Sequence, residues 1–160
     1  MKRILLPILV IGVLLLAACG APASTPSEEN PSHMAILEFR EQVTDANGQT
    51  IWVPAKGTIN GQEKVLSSVY FKDTYVTTDD SGNILLVFEW TAEGSQLSEQ
   101  ITSRLIGKPL AIFEGDEPLL GEDGQPIVPT IKSVIKDKGQ IEGLSLHEAT
   151  TLSELLNASR

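Results

Sequence analysis

Few side chains in this sequence have reactive or ligating chemistry, and their spacing limits what they can do. Cys19 is the one cysteine, so the chain has no internal disulfide and no thiolate cluster for a metal. Its histidines are His33, in a Pro/Ser-rich stretch, and His147, two residues after Ser145. A serine nucleophile and an imidazole base need a third group to orient the ring, and none is marked here. Ser145-Leu146-His147-Glu148 reads instead as a capping box, which commits the serine hydroxyl to backbone amides. Glu114, Asp116, Glu117, Glu122 and Asp123 are the best oxygen donors for calcium. They lack the alternating ligands and distal Glu of an EF-hand, and they read as solvated turn residues. Asp79-Asp80-Ser81-Gly82-Asn83 reads the same way, as a hairpin turn. The sequence has no Gly-rich phosphate loop and no nucleophile elbow. Neither catalysis nor a metal nor a cofactor is expected. Binding chemistry is left to apolar and aromatic side chains: Trp52, Tyr70 and Tyr75 are the expected polypeptide contacts, with Trp52-Val53-Pro54 beside loops. Phe88 and Trp90 are expected in the core.

The chain opens with Met1-Lys2-Arg3, followed by an apolar run from Ile4 to Ala18. A basic start, a short apolar stretch and small residues at its end describe a secretory signal peptide. The run is shorter than the roughly 20 residues a membrane span needs. Leu16-Ala17-Ala18-Cys19, with Gly20 after it, resembles the lipobox of bacterial lipoproteins. That resemblance implies cleavage before Cys19 and diacylglycerol on its sulfur. Residues 1–18 are thus a lipoprotein signal peptide, and 19–34 are the lipidated Cys and a flexible Pro/Ser-rich stalk. The expected location is extracytoplasmic, anchored to a cell membrane or outer membrane. Twelve basic residues stand against 21 acidic ones, a formal charge of −9, which deepens to −11 once Lys2 and Arg3 leave with the leader. A domain this acidic repels nucleic acid and anionic headgroups, so a lipid has to supply the attachment.

Residues 35–158 read as a single domain. Ala35–Val43 alternates as a half-buried strand, and Asp45-Ala46-Asn47-Gly48 turns it into a second around Thr50–Val53. Gly57–Gly61 reads as a loop and Glu63–Ser68 as a short helical turn. Tyr70–Thr78 and Ile84–Trp90 are strands. The second is apolar on both faces and so central in its sheet. Thr91 caps a helix carrying Leu97, Ile101 and Leu105, which Gly107 and Pro109 stop. Leu110–Phe113 is a buried strand, 114–125 an acidic double turn, and Ile127–Ile135 an edge strand holding Pro129. Ser145 opens a final helix with Leu146, Ala149, Leu152 and Leu156 as the buried stripe. The fold class is α+β: a mixed, mainly antiparallel sheet with two helices packed against it.

From Ile36 to about Ala158 the ordered segments resemble the head subdomain of the large first periplasmic domain of the SecD protein-export family. Leu37-Glu38-Phe39-Arg40 and Trp52-Val53-Pro54-Ala55 match its opening. Val87-Phe88-Glu89-Trp90-Thr91-Ala92-Glu93-Gly94 resembles its strand leading into an "E-G" helix start. Ile106-Gly107-Lys108-Pro109-Leu110-Ala111-Ile112-Phe113, Val128-Pro129 and Gly139-Gln140-Ile141-Glu142-Gly143-Leu144-Ser145 follow in the family's order. Glu114-Gly115-Asp116-Glu117 departs from the Asp-Gly usual there. SecD continues into transmembrane helices bearing its proton path, whereas this chain stops at Arg160, so proton-coupled movement is not expected to carry over. The resemblance implies a role in holding polypeptide during Sec-dependent export, with unfolded secreted chains or translocon components as partners. The alternatives are a module that docks on a membrane complex and a small-ligand-binding lipoprotein.

Overall fold

A computed structural model describes residues 36–160; the leader, Cys19 and the stalk to residue 34 lie outside the described residues. The domain is α+β, with antiparallel sheets and two helices. Strand β1 (Leu37–Thr44) turns at Asn47-Gly48 into β2 (Thr50–Pro54). The Asp45 carboxylate accepts the amides of Asn47 and Gln49 at 2.8 Å each, and Gly48 takes a φ of 79°. The same device joins β5 (Phe71–Thr78) to β6 (Ile84–Trp90), where Asp79 accepts from Ser81 and Asn83 and Gly82 takes a φ of 85°. In each loop a short carboxylate satisfies amides that the tight turn leaves without partners.

Between these hairpins the structure corrects the expected loop and helical turn. Lys56–Ile59 (β3) and Gln62–Val65 (β4) form a two-stranded hairpin. Asn60 and Gly61 both take positive φ, 51° and 78°, which is the demand of a tight hairpin turn that Asn-Gly meets at low cost. The expected helical turn over Glu63–Ser68 is thus strand as far as Val65, and the 3-10 turn Ser68–Tyr70 begins only at its last residue.

Strand β6 is the centre of a three-stranded sheet, as its double-sided apolar sequence predicts, with β5 on one side and Lys138–Glu142 (β9) on the other. Its partner β9 was not foreseen as a strand. Helix α1 (Ala92–Arg104) starts at Thr91, whose hydroxyl accepts from Gly94 N–H, and buries Leu97 and Ile101. Helix α2 (Leu146–Ala158) carries the complete capping box of Ser145 and Glu148 and packs on β5. Its inward stripe is Ala149, Leu152, Ser153 and Leu156. Leu146, expected in that stripe, is 59% exposed at the first turn. Strand β7 (Leu110–Glu114) pairs with β1 and with the short β8 (Glu117–Pro118), giving the order β2-β1-β7-β8.

Ile127–Ile135 is not a strand. Pro126 and Pro129 have no N–H to donate, and only alternate residues bond back: Leu110 donates to Pro129 O and Ile131 to Lys108 O, at 3.0 Å each. Leu37, Phe39, Phe71, Phe88, Trp90 and Ile141 lie in one apolar core. Its aromatic centre stacks Phe71 on Phe88 at 4.5 Å, with Trp90 edge-on to both.

Candidate functional site

An apolar groove of about 490 Å³ runs between α2 and the chain that follows β7. Two constraints build it. Gly115, at a φ of 61°, turns β7 into β8, after which Leu119 is clamped by its amide to Ile112 O and by its carbonyl to Ile127 N, both at 2.8 Å. Across from it, the capping box fixes where α2 begins. Leu119 and Leu152 form the buried floor, while Leu120 and Leu155 stand 48% and 50% exposed on the walls. Glu114, Glu117 and Glu148 rim the opening, with His147 beside them. Hydrogen bonds from the Ser145 hydroxyl, and then from its amide, hold the Glu148 carboxyl below its ordinary range, which favours its anionic form. Apolar walls under an acidic rim suit a segment that combines apolar and basic side chains.

Each expected contact residue lies on a different element. Trp52, on β2, is half-buried with its ring 6.4 Å from Phe113. Phe113 in turn lies under the Arg40 guanidinium, 4.2 Å from the ring centre, and that guanidinium also donates to Glu38 at 2.6 Å. Tyr70 ends the 3-10 turn, half-buried, with its hydroxyl pushed up by burial and then by the Glu93 carboxylate. Tyr75 lies on β5 opposite Val87, 40% exposed. Among the described residues no ring contact joins these three. Phe88 and Trp90 lie in the core, as expected.

The Ser145 hydroxyl lies 2.6 Å from the Glu148 carboxylate and accepts from the Glu148 amide at 3.3 Å; it serves the helix start rather than His147. The acidic turn is spread out. Glu114 and Glu117 face each other across β7 and β8, Asp116 lies 3.6 Å from Arg40, and Asp123 accepts the Gln125 amide at 2.9 Å. Among the described residues no three His, Cys, Asp or Glu side chains gather into a metal-binding group.

Leu119, Leu120 and Leu155 of the groove were missed in sequence, whereas Leu152 was expected in the buried stripe. Leu155 lies one position before the stripe residue Leu156, and the Leu119-Leu120 pair sits between acidic residues, where it read as turn. The available signal was Leu152-Leu155-Leu156, an apolar arc wider than one buried stripe needs.

Among the described residues no helix is long and apolar enough to cross a membrane. Over 133 residues the chain is 53% identical to the protein translocase subunit SecD of Dehalococcoides mccartyi (strain VS). That match covers 79% of this chain and 30% of the relative's length. Two solved structures share the fold at 25% identity, each over 78% of this chain. One is of SecDF, a membrane component that enhances protein export, with a TM-score of 0.53 over 62% of its chain. The other is SecDF in a super-membrane-facing form, with a TM-score of 0.54 over 19% of its chain. The family model of the SecDF P1 head subdomain matches residues 39–160, and the chain belongs to that family.

Proposed function

We propose that this chain serves protein export as an extracytoplasmic head that holds polypeptide, without catalysis and without a cofactor, anchored by a lipid at Cys19. The observation that carries the reading is the 53% identity to a SecD translocase subunit across most of the chain. The groove between α2 and β8 supports it, because its leucine walls and glutamate rim fit unfolded segments that would otherwise expose apolar side chains to water. Trp52, Tyr70 and Tyr75 are further proposed contacts. The stalk, residues 20–34, gives the head reach above the membrane, and translocon components are its proposed neighbours.

The test is site-specific photo-crosslinking in living cells, with the reactive group placed in turn at Leu155, Trp52 and Tyr70. Adducts with many different secreted chains are the expected result. Stoichiometric adducts with one folded membrane protein would overturn the reading in favour of a docking module.

A further inference from the structure

A second cleft, of about 900 Å³, opens between the outer edge of β9 and the extended segment 126–131. Both walls expose main-chain groups. Trp90 N–H donates to Asp137 O at 3.0 Å, which sets the alternation of the antiparallel β6–β9 pair. Residues 137, 139 and 141 bond to β6, so the N–H and C=O groups of Gln140 and Glu142 point away from it. On the facing wall, Ile127, Pro129 and Ile131 bond back through Ile112, Leu110 and Lys108, so those of Val128 and Thr130 point away from β7. Gln140, Glu142, Val128 and Thr130 all line the cleft, and no described residue takes up these outward main-chain groups.

The rest of the cleft narrows the choice of occupant. Its floor is apolar: Ile131 and Ile141 are buried, and Ile127 and Ile135 pack beside them. One end is closed, where Glu122 N–H donates to Gly143 O at 2.7 Å. On the solvent side Glu122, Asp123 and Glu142 outnumber Lys132. An added strand lies about 4.8 Å from its neighbour and sends alternate side chains to opposite faces.

We propose that an extended segment of a polypeptide client adds as a strand to β9 in this cleft. Its backbone pairs with Gln140 and Glu142, its apolar side chains meet the isoleucine floor, and its alternating Lys or Arg side chains meet the acidic rim. The inference rests on the reading that the head holds polypeptide, and it assigns the mode: recognition of backbone, which is indifferent to most of the client's sequence.

The probe is an acetylated, amidated heptapeptide alternating Lys with Val and Ile, titrated into the full chain. Its counterpart carries N-methyl groups on alternate backbone nitrogens, keeping the side chains and charge while removing the donors. The expected result is binding of the first peptide, with slowed amide exchange at Gln140 and Glu142, and affinity about tenfold or more weaker for the second. Gln140→Pro removes one outward donor while sparing the bonds of Gly139 and Ile141 to β6, and it should weaken the first peptide comparably. Because the methylated peptide is read on the unaltered protein, the test stands even if the proline variant folds poorly. Equal affinity of the two peptides overturns strand addition while leaving polypeptide holding to the crosslinking experiment. Slowed exchange at Gln140 and Glu142 in the free chain, lost on deleting residues 20–34, overturns it in favour of the chain's own linker as occupant.

Discussion

Gly139 leaves the space that the Phe88 ring fills: a Cβ at position 139 would stand 2.3 Å from Phe88 Cζ and 2.6 Å from Cε2. The two residues face each other across β6 and β9, and Phe88 is the ring that stacks on Phe71. A methyl group there displaces a buried aromatic, so Gly139→Ala should cost about 1–3 kcal/mol. Urea unfolding checks this as a lower midpoint with an unchanged slope. Adding Phe88→Leu frees the space, so the double variant should be less destabilised than the sum of the single ones.

That relationship also explains why β9 escaped a reading of the sequence. Lys138–Glu142 buries only Ile141, and its glycine reads as a loop residue until the ring opposite it is known. The caps at Thr91 and Ser145, the turn at Asn47-Gly48 and the double-sided β6 were legible because each signal lies within a few residues. Asn60-Gly61 carried the same kind of signal, but the polar residues around it favoured a loop and a helical turn over a hairpin. Ile127–Ile135 alternates like a strand, yet its prolines limit the bonds it can make. The groove was hidden for another reason: Leu120 and Leu155 come together only through tertiary packing, 35 positions apart in the chain.

Acid should weaken the fold through three hydrogen-bonded carboxylates. Amides of the β1–β2 turn, led by Gln49, hold Asp45 below its ordinary value of 3.8. The Asn83 side chain, and then its amide, do the same for Asp79. Ser145 lowers Glu148 from 4.5. A depressed carboxyl contributes stability that is fully present above its unfolded value and is lost as pH falls through the folded one. Melting temperature should therefore hold from neutrality to about pH 5 and then fall as the capping box and the two turns protonate. Asp45→Asn with Asp79→Asn should flatten the part of that fall below pH 4. An unchanged profile in the double variant would assign the acid loss to other groups.

The proposed membrane attachment through Cys19 would have its own signature. Cys19→Ala should abolish incorporation of labelled fatty acid, and the same chain exported behind a cleavable leader without a lipobox should leave the membrane fraction, because no part of the acidic chain after the leader is expected to bind anionic lipid. Shortening residues 20–34, a Pro/Ser-rich stretch with almost nothing to bury, should lower the proposed export activity while leaving the melting temperature unchanged. Equal loss of both would remove the case for a tether.

The groove can be separated from the fold because its walls are half exposed. Leu155 is 50% exposed and Leu120 48%, so Leu155→Lys and Leu120→Lys should change stability by only about 0.5 kcal/mol, the scale of a surface substitution. Each nevertheless places an ammonium group among apolar walls that a client side chain must desolvate, next to a glutamate rim that it partly neutralises. Crosslinks from a reactive group at Thr151, which also lines the groove, should then drop several-fold, while crosslinks from Tyr75, on β5 and outside the groove lining, stay constant. Leu152→Lys is the contrasting control: that side chain is buried, and its substitution should unfold the domain rather than empty the groove. A fall in crosslinking that matches the fall in stability across all three variants would make the leucine walls structural. A fall in the two exposed-wall variants alone assigns them to the client.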